Sequence, residues 1–169
     1  MGDSATELDR AFFCVQVEGL DWSPDEKWLA LRARTPDKPW LIYVIPSEGG
    51  KMQMLMPSEK EQGIPSWSRD SKTIAFGDVS AVFDTTNGTD SIHLIDVQSR
   101  MVTDIPGSRG LWTARWSPNG RYLAALTMVG QRLMLFDIKY KSWRQIDAVK
   151  VNNLTWSKDS ESILLRYRG

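Results

Sequence analysis

Four stretches of the chain carry nearly the same alternation: DWSPDEKWLAL, SWSRDSKTIAF, RWSPNGRYLAA and TWSKDSESILL, with Trp22, Trp67, Trp116 and Trp156 in second place. In each, an aromatic and apolar segment is cut by a short polar interval and then resumes. In the third copy LWTARW has the content of a strand. Ser117-Pro118-Asn119-Gly120 has the residues of a type I turn, and RYLAAL resumes as an apolar strand buried on both faces. The predicted unit is a β-hairpin. The other copies place Asp25, Asp70 and Asp159 at the Asn119 position, but Glu26, Ser71 and Ser160 at the Gly120 position. If the backbone there is left-handed, each such replacement costs about 1 kcal/mol.

A second pattern follows the first three hairpins: LIYVIPSEGGKMQML from Leu41, SIHLIDVQSRMVTDI from Ser91 and RLMLFDIKYKSWRQI from Arg132. Each reads as an apolar strand, a polar turn and a more polar strand. Two apolar inner strands followed by an increasingly polar outer one suit a small sheet whose inner edge is buried and whose outer edge meets solvent. The repeat tryptophans are 45, 49 and 40 residues apart. Four strands in that length form the blade of a β-propeller. A helical repeat of similar length would need a sustained 3.6-residue period, which is absent. The predicted fold class is therefore all-β, a propeller of four-stranded antiparallel blades.

The W-S-x-D element followed by an apolar strand and then IYVIPSEGG resembles the TolB-type, WD-repeat-like propeller repeat, whose usual form is W-S-P-D-G. The likeness runs from about Gly19 to Tyr167. LWTARWSPNGRYLAAL with QRLMLFDIKYKSW is most similar to the propeller regions of large bacterial proteins, where such blades adjoin winged-helix regulators or protein kinases. The resemblance implies the fold. It leaves function open, because peptidases, envelope proteins and regulators share the repeat.

On this reading blade one spans 18–62, blade two 63–108 and blade three 109–150, and 151–169 is the first hairpin of a fourth. Residues 1–17 form an N-terminal segment in which AFFCVQV, 11–17, supplies an outer strand of a preceding blade. About three and a half blades fall short of the four to eight that close a ring. The expectation is an open arc from a larger bacterial protein, with an uncovered apolar face at each end through which the chain self-associates.

Composition narrows the function classes. Lys plus Arg and Asp plus Glu are 21 each, so the formal net charge is zero. That removes the electrostatic footprint of a nucleic-acid binder or of a protein held on an anionic membrane. The single cysteine, Cys14, allows no internal disulfide and no cysteine-based zinc site. No run approaches the roughly 18 to 20 apolar residues of a membrane span, and MGDSATELDR does not have the form of a secretory signal. Compartment is not encoded.

Candidate chemistry is sparse. The only histidine, His93, sits in the predicted strand SIHLIDV, and no G-x-S-x-G elbow presents a serine. His93 reads as a strand residue and not as a catalytic base. In the loop 77–91, Asp84, Thr86 and Gly88 fall on a calcium-loop spacing beside Asp78 and Asp90, but Thr86 replaces the central carboxylate. A solvated turn is the better reading. Asn87-Gly88-Thr89 and Asn153-Leu154-Thr155 match the glycosylation acceptor by chance, the second within a predicted strand. Neither phosphate-binding glycine motif occurs. Arg109, Arg115, Arg121 and Arg132 read as a mixed solvated surface. The expectation is no catalytic, cofactor-binding or metal-binding residue and no cofactor.

The leading functional reading is a non-catalytic interaction platform for a protein partner or peptide, with no nucleic acid and no membrane involved. The second-to-third-strand loops (32–40, 77–90, 127–131) and the inter-blade loops (near 58–64, 107–111 and 147–152) share one face. The former vary from 5 to 14 residues while the hairpins hold their length, as a recognition surface would. The alternative is the gating propeller of a larger serine peptidase of prolyl-oligopeptidase type. A small-molecule sensor ranks third, because an unclosed ring is expected to bring no polar groups together on its axis.

Overall fold

A computed structural model of the 169-residue chain describes residues 16–79, 90–127, 132–148 and 153–166, and every regular element among them is a β-strand. The first sheet runs β1 (Gln16–Trp22), β2 (Trp28–Arg34), β3 (Leu41–Pro46), β4 (Gln53–Met54), each antiparallel to the next. In the second, β5 (Glu61–Gln62) and β6 (Ser66–Trp67) both pair with β7 (Thr73–Val79), followed by β8 (Ile92–Asp96) and β9 (Val102–Asp104). β5 and β6 are two halves of one inner strand, interrupted at Pro65, which has no N–H to give the ladder. The third sheet is β10 (Leu111–Trp116), β11 (Tyr122–Thr127), β12 (Arg132–Asp137), β13 (Ser142–Ala148); β14 (Asn153–Trp156) and β15 (Ile163–Arg166) form a hairpin. Three four-stranded meanders and a half-blade make an open propeller arc.

The first sheet begins earlier than the sequence suggests. Gln16 and Val17 pair with Arg34 and Ala33 in blade one and so are not part of a preceding blade. A bulge at Gly19 (φ 64°) lets β1 continue past an apparent break, and a Cβ there would collide with Ile64 of the next inner strand. The remainder of that run, residues 11–15 with Cys14, lies outside the described residues. Thr113, also three residues before its tryptophan, bulges in the same way at φ 56°, a costly conformation for a β-branched side chain.

The four predicted turns form where the sequence places them. Glu26, Ser71, Gly120 and Ser160 donate their N–H to the carbonyls of Ser23, Ser68, Ser117 and Ser157. All four are left-handed, with φ between 59° and 73°. The repeated Ser and Asp/Asn explain the shared geometry. In every copy the serine hydroxyl donates to the Asp or Asn side chain (2.6–2.8 Å). It also accepts the N–H five residues on, at Trp28, Thr73, Tyr122 and Ser162. The serine holds the base of the hairpin, and its own N–H donates back across it.

Serine in the left-handed position has a compensating role. Ser71 Oγ accepts the Asp25 N–H at 3.0 Å, and Ser160 Oγ accepts the Asn119 N–H at 2.9 Å, so each joins its turn to that of the preceding blade. These bonds, with the Arg69–Asn119 bond between blades two and three, string the turns along one face of the arc. Beneath them each blade packs its repeat tryptophan on a fully buried alanine of the blade before: Trp67 with Ala30, Trp116 with Ala75 and Trp156 with Ala124. A methyl at that position lets the next sheet approach closely, and the indole fills the space.

Trp143 lies on the outer strand β13, where its ring is 5.0 Å from Phe136 and its N–H donates to the Pro106 carbonyl at 2.9 Å. The tryptophan spans from blade three to the end of blade two.

Candidate functional site

The inner strands β1, β6, β10 and β14 lie side by side on the concave side of the arc, and their turn-proximal ends surround a hollow of about 340 Å³. Its polar lining includes Arg69 and Ser117 and, from one repeat position, four residues more. The residue before each tryptophan, Asp21, Ser66, Arg115 and Thr155, faces this space, between prolines and indoles. Within the chain the Trp-Ser pair never changes, whereas the residue before it changes every time. Shared residues build the hairpin; the variable one supplies a carboxylate, a guanidinium and two hydroxyls to the axis.

Backbone geometry aims these groups. The bulges at Gly19 and Thr113 precede Asp21 and Arg115 by two residues and shift the register of both strands. Asp21 Oδ2 accepts the Trp67 N–H at 2.7 Å. Burial pushes the Asp21 carboxyl above its ordinary range, opposed by that hydrogen bond and by the Arg115 charge. Arg115 donates to the Ala114 and Ile64 carbonyls at 2.9 and 3.2 Å. Burial lowers its affinity for the proton and the Asp21 charge restores part of it. Ser66 Oγ accepts the Trp116 N–H at 3.0 Å. The site thus offers opposite charges in a partly dry setting, with carbonyls and hydroxyls around them.

Two sequence-based expectations change here. Polar groups do converge on the axis although the arc is open, because inner strands alone suffice to surround the hollow. Arg115 belongs to that hollow and not to a solvated surface, whereas Arg109, Arg121 and Arg132 are exposed. Arg121 approaches Asp137 at 3.4 Å and Arg132 approaches Gln145 at 3.4 Å. The signal for Arg115 was its repeat position, directly before a structural tryptophan.

His93 lies in β8 and is held by two carboxylates on neighbouring strands: Nε2 is 3.0 Å from Asp78 and Nδ1 is 2.7 Å from Asp104. Asp78 also lies 3.5 Å from Lys60. The Asp78 hydrogen bond holds the imidazole above its usual range against burial, and Asp104 adds to it. Both ring nitrogens are engaged with carboxylates, as in an ion-pair bridge across a sheet. Asp84, Thr86, Gly88 and the Asn87 acceptor lie outside the described residues; Asp90 is buried, and Asn153 is in β14.

On the opposite face, inter-blade segments are tied to second-to-third-strand loops: Gln62 N–H donates to the Trp40 carbonyl and Gly110 N–H to that of Asp90. Buried Arg32 braces this edge. It donates to the Gln62 carbonyl and to Glu18, both at 2.6 Å, and stacks over Trp40.

Meander blades, a seam tryptophan in each and inner strands around an axis define a β-propeller domain. No protein-family model and no curated protein matches the sequence. Among solved structures, TolB from Acinetobacter baumannii is 24% identical, with a TM-score of 0.73 over 90% of this chain and 38% of that one. A putative TolB from Agrobacterium tumefaciens is 17% identical, with a TM-score of 0.72 over 88% and 53%. The β-propeller domain of the Trilobed protease from Pyrococcus furiosus, described as having an open velcro topology, is 15% identical, with a TM-score of 0.61 over 86% and 47%. The fold is thus that of TolB-type propellers, and the chain spans about half or less of the length of these neighbours.

Proposed function

We propose that this chain is a non-catalytic binding platform that holds an extended polypeptide segment of a protein partner at the axial hollow. The observation that supports this most directly is the repeat position before the tryptophan. Four structurally equivalent residues face one space, and they change from copy to copy while the Trp-Ser pair that follows them does not. A peptide offers what those groups match: backbone N–H and C=O for the hydroxyls and carbonyls, and charged side chains for Asp21 and Arg115. Similarity to propellers of a nidogen–laminin complex and of TolB fits a protein-binding use. Similarity to prolyl endopeptidase and acylaminoacyl peptidase structures, at 18% and 14% identity, is one of fold and does not favour a gating role.

Selection of a random peptide phage library against the chain tests this. Enriched peptides should lose at least about tenfold in affinity, some 1.4 kcal/mol, with Asp21→Asn, at unchanged melting temperature. Peptides indifferent to Asp21→Asn and to Arg115→Lys would contradict the assignment.

A further inference from the structure

The seam between blades two and three lacks a ring that its two neighbours have. Five positions after each turn serine stand Trp28, Thr73 and Tyr122, and all three donate their N–H to the hydroxyl of their own serine, so they are equivalent. Trp28 packs against the core between blades one and two. Tyr122 packs against the core between blades three and four, where its ring stacks on Trp156 at 6.4 Å between centroids and 11° between planes. Between blades two and three the place falls to Thr73, which has no ring.

The same seam is short of a second group. Ser71 and Ser160 each give a hydroxyl to the turn of the preceding blade, and Gly120 has none to give. The Trp116 indole N–H is also without a partner among the described residues, whereas those of Trp67 and Trp156 reach carbonyls. The result is an open hollow of about 500 Å³. Thr73 and Leu94 of blade two form one wall and Trp116 and Ile138 of blade three the other, with the exposed Arg69 and Asp70 at its mouth. Both walls belong to blades in the interior of the chain. Arg69 and Trp116 stand between this space and the axial hollow, which they also line.

We propose that the hollow is a second binding site, which takes an aromatic side chain, tyrosine or tryptophan, of a protein partner. The repeat itself shows what fits. The incoming ring takes the place that Trp28 and Tyr122 fill in the other seams, and it lies along Trp116 as Tyr122 lies along Trp156. At Tyr122 the Arg121 guanidinium sits over the ring at 4.8 Å; at the hollow Arg69 supplies the cation. The Asp70 carboxylate accepts the phenol or indole donor at the edge of the ring. This mouth of opposite charges matches a side chain with an apolar body and a polar edge, and an aliphatic one leaves it unmatched. The open side leaves room for the backbone that carries the ring. The site is apart from the axial hollow, and each holds or fails without the other.

Titration of the nitrogen-15-labelled chain with the capped peptide Gly-Tyr-Gly, and separately with p-cresol, tests the proposal. The amide signals of Asp70, Leu94 and Gly120 should shift most with the peptide. Thr73→Tyr, which supplies the ring from the chain itself, should weaken the peptide at least about tenfold and raise the melting temperature by filling the hollow. No shift at about 20 mM peptide, where even a millimolar site is mostly filled, would overturn the proposal. So would shifts centred on Asp21 and Arg115, undiminished affinity in Thr73→Tyr, or binding of p-cresol without binding of the peptide, which would make the hollow a site for free aromatic compounds.

Discussion

The seam between blades one and two and the seam between blades two and three join the same repeat by different chemistry. At the first, the Trp67 indole N–H reaches the Asp21 carbonyl, and Ser71 ties its turn to Asp25. At the second, the Trp116 indole N–H is buried with no partner among the described residues. Gly120 has no side chain to tie its turn, and Arg69 covers the gap, with its Cβ 3.1 Å from where a Gly120 Cβ would be. The difference shows that apolar packing is common to both seams, whereas the turn-to-turn hydrogen bond changes its makers, from Ser71 and Asp25 to Arg69 and Asn119. Where serine makes that bond it offsets the strain of a left-handed residue; where the approach is too close, glycine is required.

The largest expected effect is on packing. Trp67→Ala should cost about 3–5 kcal/mol. Trp143→Ala should cost about 1–2 kcal/mol, the loss of an aromatic pair and one hydrogen bond. Urea midpoints measure both, and a larger loss at Trp143 would reverse the assignment of inner and outer strands. Substituting phenylalanine sharpens the comparison of seams. Trp67→Phe should be more damaging than Trp116→Phe by about 1–2 kcal/mol, because only the former breaks a hydrogen bond and the latter removes an unpaired donor. Equal losses would mean that the two indoles are equivalent. Exchange at the turns should give a smaller asymmetry. Gly120→Ser should destabilise by at least about 1 kcal/mol, more if Arg69 cannot yield. Ser71→Gly should change little, since relief of strain and loss of one hydrogen bond oppose each other. A stabilising Gly120→Ser would contradict this.

The smallest effect is one of pH. His93 has a raised pKa in the folded state, so its contribution is full below the unfolded value of about 6.5 and is lost as pH rises through the higher folded value. His93→Gln should remove that slope from the thermal stability profile. A slope unchanged by the substitution would mean that Asp78 and Asp104 do not hold the proton.

The hairpins were legible because turn chemistry and apolar alternation are local: Ser117-Pro118-Asn119-Gly120 specifies its own geometry, and the imperfect copies follow it with a left-handed Glu or Ser. The arc followed from the tryptophan spacing alone. The axial hollow was not legible, because Asp21 and Arg115 are 94 residues apart and meet only once the blades are stacked. Scattered arginines look alike in a sequence, and only stacking separates Arg115 from Arg121. The strand that begins at Gln16 was hidden by Gly19, which reads as a break and acts as a bulge. The contact of Trp143 was not legible for a related reason: the polarity of its strand says nothing of the Pro106 carbonyl that its indole reaches.

The central claim is that the Trp-Ser pair keeps hairpin and seam alike in every copy, while the residue before it, which also ties two seams through Asp21 and Ser66, sets what the axial hollow binds. Isothermal titration of one selected peptide against the unmodified chain, Asp21→Asn and the control Tyr140→Ser, exposed in the turn between β12 and β13, tests it most directly. The account predicts at least about a tenfold loss of affinity for Asp21→Asn and none for Tyr140→Ser, with all three melting at the same temperature. Full affinity in Asp21→Asn, or a loss matched by Tyr140→Ser, would contradict it.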